Sequence, residues 1–147
     1  MKIRCSWVPQ GDELYTQYHD QEWGVPVYDD QKLFEFLVLE AFQAGLSWRT
    51  VLYKRENFRK AFAQFDPEIV ARFDDSQIRI LLNDAGIIRN NLKIRAAINN
   101  AQKFLEVQKE LGSFSKYIWQ FSDDKPIINK WKTDKEIPPS TDRKSVV

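Results

Sequence analysis

The sequence is poorest in the side chains that most often do chemistry: it holds one cysteine, Cys5, and one histidine, His19. A lone cysteine forbids any disulfide within the chain, which suits a reducing cytoplasm. A histidine pair is excluded, and so is a four-ligand Cys/His metal site built from this chain alone. No apolar run approaches the roughly 20 residues that cross a bilayer, and Met1 to Cys5 is no signal peptide, so no membrane partner is expected. The net charge of +1 argues for no particular partner. Internal repeats, low-complexity tracts and alternating strand patterns are all missing, so the chain reads as all-α. At 147 residues, with 43% apolar and 29% charged side chains, it is one soluble domain or slightly less.

Aromatic rings, by contrast, are abundant: five Trp, five Tyr and ten Phe make 14% of the chain. Charge is also unevenly spread. Residues 1–50 carry 4 basic and 8 acidic side chains, net −4, whereas residues 51–100 carry 9 and 6, net +3. From Ser76 to Lys103, Arg79, Arg89, Lys93, Arg95 and Lys103 face only Asp84, so polyanion contact should centre there.

The stretch to Tyr28 reads as irregular, punctuated by Pro9, Gly11, Gly24 and Pro26. Asp29 or Asp30 can cap a helix whose apolar positions Leu33, Phe34, Phe36 and Leu37 recur at helical spacing, ending near Ala44 at Gly45. Ser47 caps a second helix with Val51, Leu52, Phe58 and Phe62 as its stripe. Asp66-Pro67 starts a short helix through Phe73. Asp74, Asp75 and Ser76 open another, exiting at Asp84-Ala85-Gly86. A long helix follows from about Asn90 to Leu111, and Gly112-Ser113 separates it from a last one, Phe114 to Phe121. From Ser122 to Val147 lysine, aspartate and proline give a poorly structured tail.

Four constellations could carry chemistry. The first is the helix–glycine–helix hairpin IRILLNDAGIIRNNLKIRAAI, Ile78 to Ile98. Backbone amides at Gly86 and Ile87 and the next helix's N-terminus at Asn90, flanked by Arg89 and Lys93, suit sequence-independent phosphate contact. The same pattern also describes a plain hairpin with solvated charges. The second is LVLEAFQAGLSW, Leu37 to Trp48. Here Glu40 lies among apolar residues and is either a buried base-reading carboxylate or a half-exposed helix glutamate. Gly45-Leu46 can wedge an apolar residue into a base stack or fill core, and Trp48 can stack on a flat ligand or do the same. The third is the aromatic N-terminal segment, where Trp7, Tyr15, Tyr18 and Trp23 together favour a pocket for a flat or cationic ligand. The fourth is Cys5 with His19, two zinc-type donors that are normally structural when found alone.

At these residues the chain closely resembles the DNA-3-methyladenine glycosylase I family of helix-hairpin-helix base-excision enzymes. The matching stretches are RCSWV (Arg4 to Val8), YHDQEWGVP (Tyr18 to Pro26), LEAFQAGLSW (Leu39 to Trp48), LYKRENF (Leu52 to Phe58), FDP (Phe65 to Pro67) and DAGIIRN (Asp84 to Asn90). The resemblance implies a single glycosylase domain that flips 3-methyladenine out of alkylated double-stranded DNA and cleaves its N-glycosidic bond, acting as a monomer. By motif, Glu40 would hydrogen-bond the flipped base, Tyr18 would lie beside it and Trp48 would stack on it. Trp7, Tyr15 and Trp23 match pocket aromatics, Gly45 and Leu46 the turn that approaches the gap in the duplex. In the family, Cys5 and His19 supply half of a structural zinc site.

The chemistry agrees with that expectation. 3-Methyladenine is cationic, so ring faces and a carboxylate select it over adenine, and its charge already activates it as a leaving group. Asn91 to Phe104 holds no aspartate where other helix-hairpin-helix glycosylases place a catalytic one, and no motif positions a Schiff-base lysine, so a monofunctional hydrolase is expected. Ala41 and Phe42 depart mildly from the family pattern. The larger departure is at the C-terminus, where family members continue through a helix bearing a second His and Cys. The expectation is a domain lacking that part, with a catalytically impaired DNA- or base-binding remnant as the alternative.

Overall fold

The computed structural model describes residues 2–139; Ser140 to Val147, the end of the expected tail, lie outside them. Among the described residues there are helices and turns but no strand. No helix among them is long and apolar enough to cross a membrane. The chain divides into two compact units, Val27–Tyr117 and Met1–Pro26 with Ile118–Val147.

The larger unit is built on helices that begin where their caps dictate. Asp29 accepts a hydrogen bond from the Lys32 amide and starts α2 (Asp30–Gln43). Ser47, Asp66, Asp74 and Asn90 do the same for α3 (Trp48–Ala61), α4 (Pro67–Val70), α5 (Asp75–Asn83) and α6 (Asn91–Leu111). Each such bond satisfies an amide that has no partner inside the helix. Helix α6 packs against α2, α4 and α5, and α3 packs against α2. Between them Phe34, Phe42, Phe58, Phe62, Phe65 and Phe104 are the largest fully buried side chains. Some of their rings meet edge to face, Phe42 with Phe58 at 4.8 Å between centroids and Phe34 with Phe104 at 5.2 Å, while Phe62 stacks with Phe58 and Phe65. Much of the aromatic surplus is therefore core. Burial of each ring contributes about 2–3 kcal/mol.

Three details depart from the sequence reading. Helix α4 stops at Val70, short of Phe73, because Phe73 turns back toward Phe62, with ring centroids 6.3 Å apart. The chain leaves α3 through a left-handed turn, Ala63, Gln64 and Phe65 at φ of 49°, 55° and 59°. Helix α7 (Phe114–Trp119) is shorter than expected and gives way to a 3₁₀ turn, Gln120–Ser122. Its N-terminus is capped across the unit by Asp30, whose carboxylate accepts from the Phe114 amide at 2.9 Å, the Ser115 amide at 2.8 Å and Gln108 Nε2 at 2.7 Å.

The smaller unit corrects the reading of an irregular N-terminus. Residues Glu13–Gln21 form helix α1, capped by Asp12 through the Tyr15 amide. None of its residues is buried, so it lacks the apolar stripe that announces a helix. Arg4 grips Asp20 with two nitrogens, Nε at 3.0 Å and Nη2 at 2.8 Å. Ser6 Oγ donates to Asp134, at the head of a second 3₁₀ turn, Asp134–Glu136.

Candidate functional site

In the larger unit the candidate residues gather around the end of α2 and the hairpin between α5 and α6. Glu40 stands exposed on the last full turn of α2. Among the described residues no side chain hydrogen-bonds or ion-pairs with it, yet crowding by the surrounding chain still strips enough water to push its carboxyl up. The buried carboxylate of α2 is instead Glu35, held by Arg55 Nε at 2.6 Å and Arg59 Nη2 at 2.8 Å. Helical spacing set both glutamates beside apolar residues. Only Glu35 has the two arginines of α3 opposite it.

After α2 the chain turns at Gly45, whose φ of +77° places it in the left-handed region; a Cβ there would meet nothing within 4 Å, so the backbone angle alone calls for glycine. Leu46 sits at the tip, 39% exposed. Gln43 braces it: the Leu46 amide donates to the Gln43 carbonyl at 2.7 Å, and Gln43 Nε2 donates to the Leu46 carbonyl at 2.7 Å. Trp48 opens α3 immediately beyond, half-buried against the core.

The hairpin separates the basic residues into different duties. Ile87 is a core residue, 3% exposed, so its side chain anchors the turn and cannot reach DNA. The Gly86 amide donates to Asp84 Oδ1 at 2.8 Å, and Asn57 Nδ2 of α3 donates to the Gly86 carbonyl at 3.2 Å. A Cβ on Gly86 would stand 3.0 Å from both Asn57 Cγ and Asp84 Oδ1. Asn90 spends its side chain capping α6. Lys93, expected on a phosphate, instead donates to the carbonyls of Phe42 at 2.9 Å and Ala44 at 2.7 Å. Arg89 is exposed and makes no hydrogen bond or ion pair among the described residues, so with Arg79 on α5 it carries the hairpin's available charge.

In the smaller unit two constellations that the sequence kept apart form one cluster. Trp7 meets Tyr15 at 5.7 Å, His19 at 5.2 Å and Trp23 at 5.2 Å, all edge to face. His19 stacks on Trp23 at 5.6 Å and 12° between planes, and Tyr18 meets Tyr15 at 6.2 Å. Trp7 and Trp23 remain 37% and 45% exposed, so ring surface is left for a ligand. Burial, with Asp12 nearby, pushes the Tyr15 phenol up and keeps it neutral. Asp20 and Arg4, which the sequence did not single out, fix His19 in this cluster. His19 Nδ1 lies 2.9 Å from Asp20 Oδ1, and Nε2 accepts from the Cys5 amide at 3.4 Å. Arg4 first, then His19, hold the Asp20 carboxyl well below the usual carboxylate range.

A carboxylate behind Nδ1 is the support a zinc-ligating histidine takes, although here the Nε2 lone pair faces the Cys5 amide. Cys5 and His19 both line a cleft of about 700 Å³ shared with Trp23 and Asp134. Among the described residues, however, no group of three His, Cys, Asp or Glu can hold a metal ion. The residues present fit half of a tetrahedral shell and do not close one.

A family model described as methyladenine glycosylase matches residues 7–146. DNA-3-methyladenine glycosylase 1 of Escherichia coli K12 is 49% identical over 94% of this chain and 73% of its own length. A crystal structure of 3-methyladenine DNA glycosylase I superposes with a TM-score of 0.93 at 46% identity, covering 98% of this chain and 79% of the other. A variant of 3-methyladenine DNA glycosylase I, solved in complex with 3-methyladenine, gives 0.91 at 35% identity over 95% and 75%. An all-helical fold built around a glycine hairpin is thus the fold of the helix-hairpin-helix DNA glycosylases. Within that class the chain belongs to the methyladenine glycosylase family.

Proposed function

We propose that the chain excises 3-methyladenine from alkylated double-stranded DNA by hydrolysing the N-glycosidic bond, as a cytoplasmic monomer. The match along 95% of the chain to a relative holding 3-methyladenine supports this reading most. In the reaction the C1′–N bond breaks and its electron pair returns to the base, cancelling the base's positive charge. Water adds its oxygen to C1′ and releases a proton. Because the leaving group is already cationic, the protein need only recognise and expose it.

Each candidate then has a role that its surroundings suit. Glu40 offers an unpartnered carboxylate to the edge of a cationic base, and its thin hydration makes such a partner more favourable. Trp48 stacks on the base face. The Trp7, Tyr15 and Trp23 rings offer their faces to positive charge, and the Tyr18 hydroxyl a hydrogen bond. Leu46, on its braced turn, fills the gap left in the duplex. Arg89 takes a phosphate beside a turn whose Gly86, Ile87 and Asn90 amides already donate to Asp84 and Ile88. Zinc would rest on Cys5 Sγ and His19 Nε2, and no step of the excision runs through it.

The test is to incubate the chain with methylated duplex DNA and separate the freed bases by chromatography. Release of 3-methyladenine is the expected outcome. No release above background with zinc supplied, while DNA is still bound, would make this chain a binding protein only.

A further inference from the structure

Lys93 is misplaced for a phosphate contact and well placed for something else. Helix α2 carries no basic residue in its last turn, so its final carbonyls lack the cation that commonly stabilises a helix C-terminus. The ammonium of Lys93, from the first turn of α6, supplies it by donating to the Phe42 and Ala44 carbonyls. The contact spans 51 and 49 positions of sequence and lands one residue before Gly45. Lys93 is in turn held by its own amide, which donates to the Asn90 cap at 3.0 Å. On the other side of the hairpin, Asn57 holds the Gly86 carbonyl.

We infer that Lys93 is a positioning residue that fastens the Leu46 turn to the hairpin, so that a phosphate gripped by the hairpin sets where Leu46 enters the duplex. This rests on the excision reading above. The two DNA-contacting elements are then one rigid piece, and Trp48, three residues beyond Gly45, moves with them. A mobile turn would sample the gap only part of the time, and misplacement of this kind is felt in turnover.

Three measurements test the idea. Lys93→Met should lower kcat for base release about tenfold with KM little changed. Its salt dependence of binding to a duplex with a tetrahydrofuran abasic analogue should match the parent, and Lys93→Arg, which reaches the same carbonyls, should restore most of the rate. Amine acetylation of the unaltered protein, followed by mass spectrometry, gives a reading that needs no variant. Lys93 should react more slowly than exposed Lys60 and Lys109 without DNA, and the abasic duplex should add no protection. A salt slope reduced by about one with kcat intact would make Lys93 a phosphate contact and overturn the inference. So would an amine that reacts freely until DNA covers it. If the parent releases no base, the excision reading fails by itself, while acetylation still reports which partner Lys93 holds.

Discussion

Glu35 and Glu40 occupy the same helix, five positions apart, and live in opposite surroundings. Glu35 is 7% exposed and pinned by Arg55 and Arg59, while the Arg55 guanidinium also lies 5.1 Å from the centre of the Phe36 ring. Removing either side of such a pair strands a buried charge, typically at a cost of about 3–5 kcal/mol. Glu40 has no such support, and its surroundings favour the neutral form. Its folded pKa lies above the unfolded value, so its ionisation works against folding as pH rises from about 4.3 through the raised value. Glu40→Gln should therefore leave the Tm at neutral pH equal or higher, while weakening 3-methyladenine binding. Calorimetry at about pH 4 and pH 7, paired with titration of the base, reads both effects; a lower Tm with unchanged affinity would contradict the assignment. That a residue should be better for function than for stability is common at binding sites.

Helix starts were legible because a cap is a local event: Asp29, Ser47, Asp66, Asp74 and Asn90 all begin helices where their side chains reach the second or third amide. What escaped either lacked an apolar stripe, as α1 does despite its local Asp12 cap, or was set by tertiary structure. Helix α1 buries no residue. The left-handed turn at Ala63–Phe65 exists because Phe62 and Phe65 are both drawn fully into the core, 6.1 Å apart and nearly parallel, and the intervening backbone must accommodate them. Gln64 is exposed in that turn, and its carbonyl accepts from Gln31 Nε2 at 2.8 Å. An L-residue pays about 1–2 kcal/mol for the left-handed conformation, and glycine gives back about half of that in chain entropy. Gln64→Gly should thus raise stability by about 0.5–1 kcal/mol, measured by urea unfolding. A loss of stability would mean the side chain holds the turn.

At the scale of the molecule, near-neutral overall charge means that DNA affinity depends on where the basic residues gather. The segment Ser76 to Lys103 is strongly basic by count, but Lys93 is committed to carbonyls, and Arg95 and Lys103 pair with Asp75 and Glu106. Arg89 and Arg79 are left. Arg89→Ala should weaken binding similarly across sequences and reduce the salt slope by about one, read by fluorescence anisotropy over a range of salt. An unaltered slope would move the phosphate contact off Arg89. The site was legible residue by residue, since the family stretches name Glu40, Trp48 and the aromatic ring set. Which charges were free and which were spent was not, because a lysine's partner can lie fifty positions away. The same long reach governs how the protein is made. Asp30 cannot satisfy its three hydrogen bonds until Ser115 exists. The larger unit is therefore completed only after Ser115 has been made, and Met1–Pro26 precedes that whole unit in sequence yet shares its own unit with Ile118–Val147. The aromatic segment up to Pro26 must wait through synthesis of the whole larger unit for the stretch it folds with, so the exposed Trp7 and Trp23 are a chaperone's natural early target.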